Sequence, residues 1–241
     1  MDYLFIGDIH GRDSWRELKS KVFLFDKIIF VGDYVDSFDI KPFNISRNLS
    51  EIIKFKKDNM DKVILLIGNH DFAYVNEYSN ISRFNHVFSL DYKRLFIDNW
   101  SLFDLAWGFK IRDRYALVTH AGLTKRFYDD FIVEQINDLD SNFNRLLESQ
   151  YKDIELHEIL NYFKNSISMW EIGPKRGGSS LSPSIIWVDK DELLSDNYPN
   201  IDQIVGHTPH HILTVNKTTN DDMIYFIDIN QNECSYLNIS F

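Results

Sequence analysis

Residues 3–11 have the sequence YLFIGDIHG, and this pattern is the strongest indication of the fold class. Four apolar residues, too few for a helix, end at a glycine and are followed by an acidic residue and a histidine. The pattern recurs at 27–36 as KIIFVGDYVD and at 63–71 as VILLIGNHD. Short apolar runs that stop at glycine indicate buried strands. Each strand should therefore present polar side chains at its carboxyl end.

A crossover helix is predicted between the second and third strands. Its positions follow a 3.6-residue rhythm at Ile45, Leu49, Ile52, Ile53 and Lys56. Ser46 near its start is the candidate N-cap. Strand, helix and strand in this order imply parallel pairing, and ligands then gather beyond the carboxyl ends of the strands. The donors after the three glycines should meet at one edge.

The rest of the chain predicts more strands and one helical insertion. The expected strands lie at 115–119, 185–188, 203–205, 213–215, 224–228 and 235–239. The C-terminal third is therefore expected to form a β meander. Apolar periodicity predicts two amphipathic helices, over 132–147 and 156–167. We interpret this pair as an insertion at about 125–170.

Size and charge narrow the class of protein. A chain of 241 residues with 44% apolar content fits a single domain, 1–241, carrying an insertion. The net charge of −10 disfavours extended nucleic-acid binding, which usually needs a basic face. A single cysteine, Cys234, excludes a disulfide framework and a multi-thiolate metal site, and it is expected to be a small buried hydrophobe. Without a signal-like start or an apolar span of about 20 residues, we expect a soluble, cytoplasmic protein with no membrane partner.

The polar residues after the strands have the chemistry of metal ligands. Aspartate, asparagine and histidine follow predicted strands at Asp8, His10, Asp33, Asn69, His120 and His207. Such donors without thiolate suit divalent manganese, iron or zinc. Two metals about 3.5–4 Å apart can hold a hydroxide and clamp phosphoryl oxygens during in-line attack. We favour manganese, with iron and zinc as alternatives.

Taken in order, these blocks resemble the calcineurin-like metallophosphoesterases, in particular the phosphoprotein-phosphatase (serine/threonine phosphatase) branch. The matching blocks are GDIHG at 7–11, GDYVD at 32–36, GNHD at 68–71, HAG at 120–122 and GH at 206–207. The resemblance implies an α/β fold, a four-layer α/β/β/α sandwich on which the helical insertion forms a cap. It also implies a hydrolase that uses two divalent metals.

The resemblance assigns roles to individual residues. It implies that Asp8 and His10 bind the first metal and that Asp33 bridges the two. The second metal would be bound by Asn69, His120 and His207. His70 would protonate the leaving-group oxygen as general acid, and Asp36 would orient it.

Two positions depart from the branch, which usually carries phosphate-binding arginines there. Ser37 follows Asp36 where one arginine is usual, and Asp189 stands in the second place. Arg176, in a glycine-rich loop, and Arg12, beside the first motif, are candidate substitutes. His210 and His211 either line the substrate entrance or belong to an ordinary loop.

The expected function is therefore hydrolysis of a phosphomonoester by direct attack of metal-bound hydroxide. The substrate would be a phosphorylated protein serine or threonine or a phosphorylated small molecule. One alternative is a phosphodiesterase or dinucleoside-polyphosphate hydrolase, because the usual arginines are missing. An alternative of another class is a non-catalytic module that binds metal and phosphate.

Overall fold

The computed structural model describes residues 1–111, 113–134, 136, 155–229 and 234–240. These residues form a mixed α/β fold with two five-stranded sheets flanked by helices, which confirms the predicted fold class. Contacts divide the chain into two compact units. The first contains Met1–Asp104, Val205–Thr214 and Tyr225–Phe241, and the second contains Leu105–Ile204 and Val215–Ile224.

The strands and helices are numbered in chain order. The strands are β1 (Asp2–Ile6), β2 (Lys27–Phe30), β3 (Val63–Leu66), β4 (Phe103–Asp104), β5 (Ala106–Ile111), β6 (Arg114–Thr119), β7 (Ile201–Val205), β8 (Thr214–Lys217), β9 (Met223–Phe226) and β10 (Tyr236–Ser240). The helices are α1 (Pro42–Asp58), α2 (Asn69–Val75), α3 (Ser89–Ile97), α4 (Lys125–Phe127), α5 (Leu156–Tyr162) and α6 (Lys190–Ser195). A π-helical segment, Tyr128–Val133, continues α4.

The first sheet has the order β10-β1-β2-β3-β4. Strands β1 to β4 pair in parallel, as the strand, helix and strand pattern predicts. All four residues of β3 are buried, as are most residues of β1 and β2, which suits a parallel sheet. The donors predicted after β1, β2 and β3 therefore leave the same edge of this sheet.

The crossover helix is confirmed, but its predicted cap is wrong. Helix α1 begins at Pro42, with Lys41 as its N-cap, so Ser46 lies inside the helix. Proline is well suited to the first helical turn because it lacks an N–H that would have no partner there. The carbonyl of Ser46 accepts a hydrogen bond from the Ser50 hydroxyl at 2.9 Å.

The second sheet has the order β5-β6-β7-β9-β8, so the C-terminal strands do not form the predicted meander. Strand β9 lies between β7 and β8. Strand β10 pairs antiparallel with β1 in the first sheet, joining Ile6 to Tyr236 and Asp2 to Ser240. Order in the sequence therefore does not give order in these sheets.

The strand predicted at 185–188 is also wrong, because these residues form a turn. The carbonyl of Ser184 accepts hydrogen bonds from the N–H groups of Trp187 and Val188 at 2.9 and 3.0 Å. All four residues of the turn are nonetheless buried. These residues are apolar because they are buried, and not because they form a strand. A short apolar run cannot distinguish a buried strand from another buried segment.

Only part of the predicted helical insertion lies within the described residues. The helix predicted over 156–167 is shorter than expected, since α5 ends at Tyr162 and Ile167 begins a separate 3₁₀ turn. Most of the helix predicted over 132–147 lies outside the described residues. The single domain with a helical cap stays a prediction. Among the helices of the described segments, none combines the length and apolarity needed to cross a bilayer.

Candidate active site

Three predicted ligands converge beyond the first sheet. Asp8 and His10 follow β1, Asp33 follows β2, and a ligand atom from each lies within 4.8 Å of the others. His10 Nε2 lies 3.9 Å from Asp8 Oδ2 and 3.7 Å from Asp33 Oδ2. All three residues are buried. The first sheet thus places two carboxylates and one imidazole around a single point.

The protonation of His10 suits a metal ligand. Its Nδ1 lies 2.9 Å from the carbonyl oxygen of Val35, which only accepts, so Nδ1 carries the proton. Burial is the largest influence and lowers the pKa of His10 to about 3. The imidazole is therefore neutral, and the lone pair of Nε2 faces two carboxylates. Three electron-rich donors around one point fit a divalent cation.

Burial and neighbouring carboxylates add to the case for a cation. Burial raises the pKa of Asp8 well above its usual range, and the charges of Asp228 and Asp33 raise it further. Like charges that share a buried site disfavour each other's ionisation. A bound metal ion supplies positive charge, and this charge allows neighbouring carboxyl groups to be ionised at the same time.

The loops that carry these ligands have strained backbones held by hydrogen bonds. Positive φ angles occur at four predicted site residues, namely His10, Asp33, Asp36 and His207. Each such residue costs on the order of 1–3 kcal/mol and persists only where its surroundings determine it. The carbonyl of Asp33 accepts hydrogen bonds from the N–H groups of Ile9 and His10, at 3.1 and 2.7 Å. The first two motifs therefore hold each other in place.

Glycines next to the ligands allow the backbone to approach them closely. A Cβ on Gly68 would lie 2.1 Å from Asp33 Oδ1, and a Cβ on Gly206 would lie 2.1 Å from Asp8 Oδ1. Neither position has room for a side chain while the carboxylate keeps its place. This confirms the predicted need for glycine before the donors.

His207 and Asn69 also lie in the first unit, and both are buried. The N–H of His207 donates to both carboxylate oxygens of Asp8, at 3.1 and 3.2 Å. Asn69 is the first residue of α2, and the N–H of the next residue, His70, donates to Asp33 Oδ1 at 3.0 Å. Their binding of the second metal stays a prediction.

His70 and Asp36 form a buried pair beside the ligands. His70 Nδ1 lies 2.8 Å from Asp36 Oδ2, and because a carboxylate accepts, Nδ1 donates. Asp36 Oδ1 accepts a short hydrogen bond from the hydroxyl of Tyr74, which in turn accepts from the N–H of Asn85 at 2.7 Å. The rings of His70 and His10 lie 5.3 Å apart, edge to face. An oriented imidazole thus adjoins the predicted metal ligands.

Three other predicted residues have defined surroundings. Arg12 Nη1 donates to the carbonyl of Asp8 at 2.9 Å. His120 is buried after β6, in the second unit. Arg176 lies in the same unit and forms an ion pair with Asp189, with 3.0 Å between Nε and Oδ2. Phosphate binding by Arg12 and Arg176 stays a prediction.

The two histidines after the last motif have different surroundings. His210 Nδ1 donates to the carbonyl of Thr208 at 2.6 Å, and its ring stacks on Phe226 with 5.2 Å between centroids. His211 is exposed. The contacts of His210 are those of an ordered loop, and a role at the substrate entrance stays a prediction.

This chain has recognisable relatives among known protein families. The sequence model of the calcineurin-like phosphoesterase family matches residues 1–226. The chain belongs to the calcineurin-like phosphoesterase family. The resemblance drawn from the five sequence blocks is thereby confirmed, and the chain is a hydrolase of a family that depends on two metals. No curated protein sequence gives a significant match.

The solved structures that match this chain include a phosphoesterase, a phosphatase and a phosphodiesterase. The phosphoesterase Yfce from E. coli is 12% identical, with a TM-score of 0.43 and coverage of 100% of this chain and 88% of that chain. A serine/threonine phosphatase from Saccharomyces cerevisiae, similar to human PP5, is 16% identical, with a TM-score of 0.45 and coverage of 100% and 80%. An archaeal phosphodiesterase is 11% identical, with a TM-score of 0.32 and coverage of 99% and 100%.

Two residues at the site of this phosphoesterase escaped the sequence analysis. Asp228, which adds to the negative charge around Asp8, lies two residues after β9. A carboxylate after an apolar strand was the signal that identified Asp8 and Asp33, and it applies equally here. Arg83 donates from Nη2 to His70 Nε2 at 3.2 Å. It lies in a loop with no motif, so the sequence carried no signal for it.

Proposed function

We propose that this calcineurin-like phosphoesterase is a dinuclear-metal-dependent phosphomonoesterase that acts on a phosphorylated protein or small molecule. The observation that carries the proposal is the His70–Asp36 pair beside the cluster of Asp8, His10 and Asp33. A metal-binding module needs the ligands but has no use for an oriented proton donor. The pair therefore favours catalysis over the non-catalytic alternative.

The ligands divide between two metals as the family resemblance implies. Asp8 and His10 would hold the first metal and Asp33 would bridge to the second. Asn69, His120 and His207 would complete the second site. Bound divalent ions, manganese in our proposal, supply positive charge for the phosphoryl oxygens and lower the pKa of the attacking water.

His70 supplies the proton for the leaving group. Asp36 accepts from Nδ1, so the other ring nitrogen, Nε2, is the one that faces the substrate. Nε2 accepts from Arg83 in the structure, so the acid form requires that this hydrogen bond opens and that Nε2 takes up a proton. As the bond from phosphorus to the leaving oxygen breaks, Nε2 passes that proton to the leaving oxygen. Tyr74 holds Asp36 through its hydroxyl and so fixes the direction of the ring. A positioned acid of this kind contributes about 10²–10⁴-fold to rate.

A phosphodiesterase is the second candidate. The ion pair between Arg176 and Asp189 favours it, because a paired arginine is less available to a dianionic phosphate. A diester carries one charge at the reacting phosphorus and needs less positive charge around it. The two candidates share ligands and general acid, and they differ in substrate.

Hydrolysis of two chromogenic substrates tests both candidates. The protein is stripped with a chelator and refilled separately with manganese, zinc or iron. It is then assayed on p-nitrophenyl phosphate and bis-p-nitrophenyl phosphate. We expect metal-restored turnover, faster on the monoester, and a fall of about 10²-fold or more in His70→Ala. The matched control is His86→Ala, which removes an exposed histidine from the same unit and should keep wild-type activity.

Two results would overturn the proposal. Faster hydrolysis of the diester would replace the monoesterase by the phosphodiesterase. Absence of turnover with every metal, above the level of an Asn69→Ala, His207→Ala double variant, would favour the non-catalytic module.

A further inference from the structure

Arg83 occupies an unusual position for an arginine. Its Nη2 donates to His70 Nε2 at 3.2 Å, and its guanidinium carbon lies 4.7 Å from the centre of the Phe38 ring. Within the described part of the chain, no carboxylate forms an ion pair with Arg83, and its buried Nε has no acceptor. Its φ of 64° is in the left-handed region. The protein thus holds a cation beside His70 with no carboxylate of the described residues in ion-pair contact with it.

These features favour a role in ligand binding. Buried donors in proteins nearly always have a partner, and an exception needs an explanation such as a ligand. A strained backbone that persists beside a catalytic group also points to function. The Phe38 ring holds the face of the guanidinium by cation–π contact and leaves its edge free to donate. Phe38 is itself 82% exposed, so it contributes little to the core.

A cavity adjoins Arg83 within the first unit. Its volume is about 330 Å³, and its lining includes Arg83, Asp36, Ser37, Phe38, Asn85 and Tyr92. This volume is at the small end of ligand sites, which run from about 300 to 1,000 Å³. It suits one ring or one amino-acid side chain and is too small for a dinucleotide.

The geometry beside His70 indicates which anionic group Arg83 would bind. The leaving oxygen must come within hydrogen-bond distance of His70 Nε2, about 3 Å, to receive its proton. Arg83 Nη2 donates to that same nitrogen from 3.2 Å, so the guanidinium has to turn away from Nε2 when this nitrogen is protonated and would stay next to the phosphorus. Another oxygen on the same phosphorus therefore falls within reach of the guanidinium. Planar guanidinium groups bind phosphate oxygens in pairs, which matches an arginine with two donors to offer.

We propose that Arg83 binds the scissile phosphate and that the cavity beside it holds the leaving group of a small phosphomonoester. This assignment rests on the proposed function, since it places the substrate on His70. It predicts a substrate with a flat or side-chain-sized leaving group, such as an aryl phosphate. A second phosphate on the leaving group is the other source of a phosphate oxygen for Arg83.

Binding of substrate analogues that cannot be hydrolysed tests the assignment. Phenylphosphonate, methylphosphonate and inorganic phosphate are titrated by calorimetry into the manganese-loaded protein. We expect Arg83→Ala to weaken binding of all three at least about 10-fold. The affinity of Arg83→Lys should be intermediate, because lysine keeps the positive charge but cannot donate two parallel hydrogen bonds to one phosphate. Arg94→Ala, which removes an exposed arginine from the same unit, is the matched control and should bind as the wild type does.

Further comparisons test where the leaving group lies and which phosphate Arg83 binds. Phenylphosphonate should bind more tightly than methylphosphonate, and equal affinity would overturn the placement of the leaving group in the cavity. If Arg83→Ala weakens binding only of analogues with a second phosphate, such as methylenediphosphonate, then Arg83 binds that second phosphate and not the scissile one. Arg83→Ala should still weaken binding in a His70→Ala background, because an arginine that only orients His70 would have no effect there.

Kinetics distinguish failure of this assignment from failure of the proposed function. With p-nitrophenyl phosphate, Arg83→Ala should raise KM more than it lowers kcat. Wild-type KM and wild-type affinities in a folded Arg83→Ala variant would overturn the assignment and leave the phosphatase intact. Arg83-dependent binding of phenylphosphonate by a wild type without turnover would overturn the phosphatase and support the binding site.

Discussion

The backbone N–H of His207 donates to both carboxylate oxygens of Asp8, although 199 residues separate the two in sequence. The last motif is thereby attached to the first. A carboxylate that accepts from a backbone donor keeps a defined orientation, which a metal ligand needs. Gly206 allows this contact, because a Cβ there would lie 2.1 Å from Asp8 Oδ1 and 2.8 Å from Val31 Cγ2.

Gly206→Ala should therefore weaken metal binding. The added methyl group has to displace the Asp8 carboxylate, and changes around a ligand typically cost about 10–100-fold in metal affinity. Competition against a chromogenic chelator measures this affinity. The control is Gly177→Ala, since φ is 84° there but a Cβ would meet nothing within 4 Å. That variant should lose some stability and keep its metal, and equal metal affinity in both variants would contradict the prediction.

Asp36→Asn should lower activity most on substrates with poor leaving groups. The variant weakens the partner that orients His70 and stabilises its charge, so proton delivery suffers. We expect a fall of about 10²-fold on phenyl phosphate and a smaller fall on p-nitrophenyl phosphate, whose leaving group needs less protonation. Tyr74→Phe, which removes one hydrogen bond to Asp36, should cost less. An equal fall on both substrates would argue that Asp36 has another role.

Metal removal should destabilise the protein. Asp8, Asp33 and Asp228 share a buried region, and without a cation their charges oppose one another. At free manganese of 100 times the dissociation constant, the free energy of unfolding should rise by about 2.7 kcal/mol. Urea unfolding followed by tryptophan fluorescence measures the change.

The variant Asp8→Asn provides the control for that measurement. It removes one of the opposing charges and one ligand together. It should therefore be at least as stable as the stripped wild type and gain less stability from manganese. A wild-type gain in this variant would show that the metal binds elsewhere.

Cys234 should resist alkylation in the folded protein. Its side chain is buried, and burial raises the pKa of the thiol. The thiolate is the reactive form, so at pH 8 the native protein presents less of it than a free cysteine does. Labelling with iodoacetamide, read by mass spectrometry, should be slow in buffer and rapid in urea. Rapid labelling without denaturant would contradict this placement of the thiol.

Much of the site was predictable because its signals are local. Asp8, His10 and Asp33 each follow an apolar run and a glycine, and parallel strands bring such positions to one edge. The burial of α1 follows from the spacing of its apolar residues, and the structure buries Ile45, Leu49, Ile52 and Ile53 together. Asp36 and His70 were identified by their motifs, and the hydrogen bond between them agrees with the roles predicted for them.

The errors arose where one pattern fits two structures. Residues 185–188 are apolar because they are buried, and a buried turn satisfies that pattern as well as a strand does. Ser46 has the chemistry of a cap, but Pro42 starts the helix one turn earlier. The predicted meander failed because β10 pairs with β1, a choice between sheet edges that local periodicity does not encode.

The class of fold, the donor types and the order of the predicted ligands could be inferred without a structure, because each of these depends on residues close together along the chain. Which distant groups meet became clear only from the folded chain. Arg83 lies against His70 and Phe38, and Asp228 adds its charge beside Asp8. Those contacts depend on long-range packing and on the sum of charges in a buried space, neither of which leaves a periodic trace in the sequence.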